Sequence, residues 1–383
     1  MNAKILFLAE RFPPDLGGVA RSSGRIARSL AAIGCDVHVL TWTKTVAPGA
    51  VASSVEDGLT IHRLGLFKNQ DFTLQYTYNV LEGLHADHGY QATWGHFVQA
   101  AGYLAVLFAE SVTIPSIVSA RGNDVDRAMF PPGDLGRLLW TLERASLITS
   151  VSADLARKMN VLLGSTNRRI DVLVNTVDAD LFHPVEPDLE LRRSLGIHDD
   201  EAVLTFSGEL REKKGLPYLL GALLQVREVR PACLLVIGDV RAKDADRLRA
   251  FAADHPEDGA RILVTGALDG PEPVVKHLAL SDVFLLPSLW DGMPNSVLEA
   301  MACGRIVLAS DAGGIPEIVR HGVDGFLLSK RELHRLGDAA LDVLSMSESD
   351  RKAMEEQART RVAESFSPEG ERRALEKILR RFL

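Results

Sequence analysis

The chain is poor in cysteine. Its three thiols, Cys35, Cys233 and Cys303, are odd in number, far apart in sequence, and make no C-x-x-C pair. That argues against a disulfide framework and against a cysteine-based zinc site. Cys233 lies in the apolar run Cys233-Leu234-Leu235-Val236-Ile237 and reads as a small buried hydrophobe. No group of His, Cys or Asp residues shows metal-ligand spacing along the sequence, so no metal site is expected. Basic blocks are missing as well. The 43 Lys and Arg are outnumbered by 51 Asp and Glu, for a formal net charge of -8, which speaks against nucleic acid as a partner. An acidic total still leaves room for a locally positive pocket. No apolar run reaches the roughly 18 residues needed to cross a bilayer. The apolar start at residues 5–9 is cut short by Glu10-Arg11 and reads as a first strand, not as a signal peptide. The cytoplasm is therefore the expected compartment. Short repeats and low-complexity tracts are also absent.

What is present is an alternation of strands and helices. At 383 residues the chain exceeds the roughly 250–300 that one core serves, so two domains are expected. Its 46% hydrophobic and 25% charged residues fit an ordinary globular protein. Short apolar runs predict strands at residues 5–9, 37–41, 116–119, 147–151 and 170–174, with helices at 19–33 and 98–110. Such continuous apolar strands are covered on both faces, as in α/β folds. Two prolines in Asp180-Leu181-Phe182-His183-Pro184-Val185-Glu186-Pro187 predict a linker. Beyond a helix at 189–195 the alternation resumes, with strands at 202–207, 233–238, 262–265, 283–287 and 305–309. Helices at 216–229, 274–280, 295–302 and 333–344 separate them, and residues 348–383 are helical. The chain therefore holds two successive doubly wound, Rossmann-like units. Residues 43–95 are the least regular stretch. Ligands of such sheets bind beyond the carboxyl ends of the strands, so the informative residues should follow strands.

The densest signal is Pro287-Ser288-Leu289-Trp290-Asp291-Gly292-Met293-Pro294-Asn295-Ser296-Val297-Leu298-Glu299-Ala300-Met301-Ala302-Cys303-Gly304. A strand ends at Pro287, and a loop with Gly292 and Pro294 leads into a helix from Asn295. The free N–H groups of that helix start suit a phosphate or sugar oxygen. Glu299, about one turn in, can accept two hydrogen bonds from a vicinal diol. Asp291 is placed to hold sugar hydroxyls. The bland alternative is a strand-loop-helix with a capping Asp and a solvated Glu.

This segment resembles the E-x7-E signature of the GT4 family of retaining glycosyltransferases, which have the GT-B fold. That family usually reads E-G-x-P-N-x-x-x-E-A-M-A-C-G here, with Asp291 in place of the first glutamate. Ser310-Asp311-Ala312-Gly313-Gly314-Ile315-Pro316-Glu317 resembles its G-G-x-P-E stretch. There, a structural turn and direct ligand contact are equally open readings of the glycines. In Gly208-Glu209-Leu210-Arg211-Glu212-Lys213-Lys214-Gly215, Lys214 matches the family lysine that neutralises the leaving diphosphate. Glu209 stands where the family has arginine, and Arg211 is the candidate to supply the guanidinium fork instead. Gly17 and Gly18 resemble the family's glycine loop on the donor phosphates. Leu268, after a strand, sits where backbone groups meet the nucleotide base.

In Ser119-Ala120-Arg121-Gly122-Asn123-Asp124 the family commonly shows H-G-x-D, so Arg121 replaces a histidine. Arginine stays protonated and cannot serve as a general base. In the front-face retaining mechanism attributed to the family, the leaving phosphate accepts the proton. Arg121 then either binds phosphate or an anionic acceptor, or forms a structural salt bridge with Asp124 or Asp126. His96, Asn123 and Asp124 are the candidate acceptor contacts. Asn175-Thr176-Val177-Asp178 resembles a family stretch before the interdomain linker, with Thr176 for the usual glycine.

The resemblance implies a GT-B enzyme whose two Rossmann-like domains face each other across a cleft. The acceptor domain would span 1–184, joined by a returning terminal helix at 366–383, and the donor domain 185–365. It implies transfer of a sugar from a UDP- or GDP-sugar to a glycan, lipid-linked or small-molecule acceptor, without metal or cofactor. Arg211, Lys214, Asp291 and Arg121 would serve the chemistry. Gly17, Gly18, Leu268, Gly292, Met293, Pro294, Asn295, Ser296 and Glu299 would bind the donor. A phosphorylase or epimerase using the same donor cleft, and a non-catalytic nucleotide-sugar binding module, are the alternatives. Peripheral membrane contact at the inner face and the oligomeric state are left open.

Overall fold

Two sheets, one mostly and one wholly parallel, organise the chain in a computed structural model that describes residues 3–15, 17–164 and 168–381. One unit comprises Met1–Asn175 with Pro368–Leu383, the other Thr176–Ser367. The first holds β1 (Lys4–Ala9), β2 (Asp36–Thr43), β3 (Val51–Glu56), β4 (Leu59–Gly65), β5 (Ala92–His96), β6 (Ser116–Ala120), β7 (Leu147–Ser150) and β8 (Ile170–Val172). They lie in the order β3-β4-β2-β1-β5-β6-β7-β8. The helices α1 (Gly18–Ala32), α2 (Gln70–His88) and α3 (Ala100–Ser111) follow β1, β4 and β5. The core side chains Ile5, Phe7, Val37, Trp94 and Ile117 are buried, and Leu375 and Leu379 of the terminal helix Pro368–Leu379 join the same cluster. The terminal helix therefore belongs to this unit.

The stretch 43–95 is more regular than its sequence suggests. Residues 51–65 form a hairpin, β3 antiparallel to β4, turning at Asp57-Gly58 with positive φ at both. Asp-Gly is a strong signal for such a turn. The signal was obscured because β3 is an edge strand exposed along most of its length, with Ser53, Ser54 and Glu56 where an apolar run was sought.

The second unit contains β9 (Ala202–Ser207), β10 (Ala232–Ile237), β11 (Ile262–Val264), β12 (Val283–Leu286), β13 (Val307–Ser310) and β14 (Phe326–Leu328). All pair in parallel in the order β11-β10-β9-β12-β13-β14. This is the order of a doubly wound nucleotide-binding sheet, with its switch point between β9 and β12. The short β14 was not foreseen, since three residues carry little periodicity. The passage between units also falls earlier than expected, at Asn175–Thr176 instead of after Pro184. Residues 176–184 belong to the second unit because Val177 N–H donates to the Phe366 carbonyl at 3.0 Å and Pro184 packs against Gly304.

A second correction concerns histidine. His38, His62 and His88 each offer one ligand atom within 4.8 Å of the others, although their sequence spacing shows no ligand pattern. Topology unites them: β2 and β4 are neighbours, and His88 ends α2. Burial lowers the basicity of His38, and burial with the neighbouring imidazoles takes His62 down to about 4.

The terminal helix is tied to α1 by a buried carboxylate. Glu371, 2% exposed, meets Arg25 Nη1 at 2.5 Å and accepts from Ser29 Oγ at 2.7 Å. Removing one partner of a buried pair strands the other. Glu371→Ala is expected to lower the stability of this unit by about 3–5 kcal/mol. Arg372→Ala breaks an exposed pair with Glu369 and should cost at most about 1 kcal/mol. Urea unfolding followed by tryptophan fluorescence compares the two. Equal losses would refute the assignment of Glu371 as the anchor.

Candidate functional site

In the second unit the candidate residues gather in the loops after β9 and β12, the two central strands of the switch point. Lys214 closes a 3-10 turn, Glu212–Lys214, after β9. Its Nζ forms an ion pair with Asp291 Oδ2 in the loop after β12. Ser288 Oγ lies 3.4 Å from the same oxygen, and Gly292 N–H donates to Asp291 Oδ1 at 3.1 Å. Burial pushes the Asp291 carboxyl up, but Lys214, Lys213 and Arg211 outweigh it and hold the group below its usual range. The carboxylate is therefore ionised, and its charge is shared among cations.

These loops have little freedom. A Cβ on Gly313, which has φ +55°, would lie 1.7 Å from the Asp291 carbonyl oxygen. Gly314 N–H donates to the Gly292 carbonyl at 2.9 Å. Of the two readings open for this pair, the turn that braces the Asp291 loop is the one that the contacts support. A Cβ on Gly215, at φ +84°, would lie 2.1 Å from the Pro287 carbonyl. Only glycine lets the two loops approach so closely.

Arg211 Nη1 pairs with Glu209 Oε2 at 3.1 Å, and Arg241 Nη2 reaches the same oxygen at 3.3 Å. Burial lowers the basicity of Arg211, and its Nε is buried without a hydrogen-bond partner. The departure at Glu209 thus has a physical role: it holds two guanidinium groups side by side. Arg241, after β10, lies outside every motif that the sequence offered. Lys213 Nζ lies 6.0 Å from the Trp290 ring, a second unforeseen cation at this edge.

The helix Asn295–Ala302 starts at Pro294 without a side-chain cap. Asn295 Oδ1 has no partner, Ser296 is half-buried, and Met293 is 4% exposed. Glu299 is 7% exposed, on the same helix. Leu268 is half-buried beyond β11, where Asp239 Oδ1 accepts from Ala267 N–H at 3.1 Å. Every one of these residues follows the carboxyl end of a strand.

In the first unit the candidates behave differently. Gly17 caps α1, and no atom lies within 4 Å of a Cβ built on Gly17 or Gly18, so the α-carbons border open space. His96 does not line a surface as expected. It is 0% exposed, stacked on Phe7, with Nε2 2.9 Å from Ser22 Oγ, and burial holds it well below its usual basicity. Asp124 is also interior. Its carboxylate accepts from Val98 N–H at 2.9 Å and Arg121 N–H at 3.0 Å, and burial pushes its carboxyl up to about 6. It braces backbone, which leaves no reason to assign it an acceptor contact. Asn123 remains half-exposed at the start of a one-turn helix, Asn123–Asp126.

Arg121 is half-buried, and burial together with Arg25 lowers it to about 9. Its Nη2 bonds Asn175 Oδ1, which also accepts from Arg25 Nη2 at 2.9 Å. Neither alternative salt bridge is its main side-chain contact: Asp124 holds its backbone, and Asp126 pairs with Lys158 at 3.0 Å. Two arginines thus converge on one neutral amide, with Glu371 compensating Arg25. Arg25 and Asn175 escaped the sequence reading because they come from a helix interior and the end of the unit. Glu10, just after β1, accepts from Ala100 N–H at 3.0 Å, and burial pushes it up to about 7.

The chain is similar to known proteins over most of its length. The family described as Glycosyl transferases group 1 matches residues 201–346, and a Glycosyl transferase 4-like domain matches residues 17–176. N-acetyl-alpha-D-glucosaminyl L-malate synthase of Bacillus anthracis is 24% identical over 93% of this chain and 92% of its own length. D-inositol 3-phosphate glycosyltransferase of Mycobacterium tuberculosis is 27% identical over 96% of this chain and 79% of its own. Among solved structures, sucrose-phosphate synthase from Thermosynechococcus elongatus superposes with TM-score 0.82 at 18% identity, covering 99% of both chains. Anabaena HepE in complex with UDP and glucose gives 0.80 at 19%, covering 99% of this chain and 100% of that one. No helix among the described residues is long and apolar enough to cross a membrane. With both units matched and the fold shared end to end, this chain is an enzyme of the group 1, GT4-type glycosyltransferases with the GT-B fold.

Proposed function

We propose that this glycosyltransferase moves a sugar from a UDP- or GDP-sugar to a hydroxyl of a small anionic acceptor, with retention and without a metal cofactor. The carrying observation is the group of cations at the switch point of the second unit. Lys214, Arg211 and Arg241 stand around two carboxylates beside the uncapped start of the helix Asn295–Ala302. As the glycosidic bond breaks, charge develops on the diphosphate, and fixed cations and helix amides stabilise it. Asp291, anchored by Lys214 and Gly292, supplies a carboxylate for hydroxyls of the transferred sugar. Glu299 accepts from the ribose diol. HepE, crystallised with UDP and glucose, supports a uridine donor.

Retention follows from the resemblance to the E-x7-E segment. Neither Arg121 nor the interior His96 and Asp124 suits a general base, which fits proton transfer to the leaving phosphate. Arg121 and Arg25 favour an anion in the acceptor domain. Two relatives carry L-malate and D-inositol 3-phosphate in their names, both anions at neutral pH.

Glu299→Ala should weaken nucleotide binding by about 1–3 kcal/mol in calorimetry while the fold persists. An unchanged affinity removes Glu299 from the donor site. Arg211→Ala should lower kcat more than it raises KM for the donor, because the contact strengthens as charge develops. Arg211→Lys restores charge without the fork and should recover only part of the loss. If Arg211→Ala transfers like wild type while Arg121→Ala is inactive, the diphosphate clamp lies in the first unit. Initial transfer rates should survive EDTA. An immediate loss, restored by a divalent ion, would overturn the metal-free mechanism.

A further inference from the structure

We propose that His38, His62 and His88 form a binding site for a divalent first-row transition-metal ion of the zinc class, separate from the transfer site. The inference does not depend on the proposed donor or acceptor. One ring nitrogen from each histidine lies within 4.8 Å of the others. His38 Nδ1 and His62 Nε2 are 3.3 Å apart. Nitrogens bound to zinc at about 2.0–2.1 Å in a tetrahedron stand roughly 3.3–3.4 Å from one another, so this pair already has the spacing of a tetrahedral edge. The ring centroids of His38 and His88 are 4.4 Å apart, which brings the third imidazole against the same pair.

Two of the three rings sit on rigid backbone. In the parallel register His38 pairs with Thr60 and Leu40 with His62, so His38 and His62 share one face of neighbouring strands. His88, half-buried, comes from the last residue of α2 and gives the site a side toward solvent. The outer nitrogens are also engaged. Ser53 Oγ lies 2.8 Å from His62 Nδ1, and Asp36 Oδ1 lies 3.6 Å from His38 Nε2. A carboxylate can only accept, so Asp36 favours the His38 tautomer whose Nδ1 lone pair points inward. Outer partners of this kind orient metal-binding imidazoles. Tyr90 O–H lies 2.9 Å from His38 Nδ1 and satisfies that lone pair while no cation does. Asp36, beside His38, puts a negative charge near the place where a dication would add two positive ones. Three neutral imidazoles with an open fourth position suit zinc, copper or nickel better than magnesium or calcium.

The site is also remote from the sugar chemistry. His38 is the third residue of β2, near its amino end, whereas Arg121 follows the carboxyl end of β6. A bound ion would join β2, β4 and the end of α2, bracing the region around the hairpin.

The test titrates the full, EDTA-treated and desalted chain with Zn2+ in calorimetry, with Co2+ as a spectroscopic probe. One equivalent of Zn2+ should bind and raise the unfolding temperature by several degrees. Co2+ should give the intense visible bands of a tetrahedral site. His88→Ala removes a half-buried ligand and should abolish the stoichiometric binding and the thermal shift, with kcat unchanged. Ser53→Ala, which leaves all three ligands in place, should lower the affinity about 10- to 100-fold. If His88→Ala does not fold, His88→Gln serves the same comparison. Absence of Zn2+ binding to the wild type, or stoichiometric binding that survives both His88 substitution and Ser53→Ala, would overturn the proposal.

Discussion

The ion pair between Lys214 and Asp291 sets the form of the loops at the switch point of the second sheet. It joins the segments that follow β9 and β12, the two strands at which the second sheet reverses its winding. A half-buried carboxylate is favoured there because cations surround it, and the cations are held close because it is there. The glycines at 215 and 313 are needed because the backbones approach too closely for any side chain. Glu209 repeats the device a few residues upstream with two guanidinium groups. The outcome is a set of cations fixed in advance, and fixed charge is what a bond-breaking step at a diphosphate requires.

Much of this was legible in the sequence. The apolar runs of the two sheets are nearly unbroken, so ten of the strands and their order of appearance could be read, and the string from Pro287 to Gly304 pointed to the family without coordinates. Residues whose role depends on what lies across the sheet were not legible. Arg25 and Glu371 are 346 positions apart by subtraction of their numbers, and neither belongs to a motif. Arg241 gains meaning only beside Arg211. The histidines on β2, on β4 and at the end of α2 look unrelated until parallel pairing brings two of them to one face.

The reverse error also has a physical cause. His96 ends β5 and Asp124 follows β6, the place where ligand contacts are expected, yet both turn inward. His96 is enclosed by Phe7 and Ser22, and Asp124 is consumed by the N–H groups of its own loop and of Val98. Position in a doubly wound sheet selects the loop, but it does not decide which side chains of the loop point outward. The Arg121 side chain meets the Asn175 amide, which it shares with Arg25, instead of a carboxylate.

The returning terminal helix has a consequence for how the molecule is made. The first unit lacks Leu375, Leu379 and Glu371 until the ribosome has produced the whole of the second. At about 5–20 residues per second, synthesis of the intervening chain leaves the nascent first sheet waiting for seconds or longer with α1 uncovered and Arg25 without its carboxylate. The second unit, encoded as one uninterrupted stretch, meets no such delay. The unit whose synthesis starts earlier is therefore completed later, because the domain that carries Arg121 closes only after the helix Pro368–Leu379 has emerged.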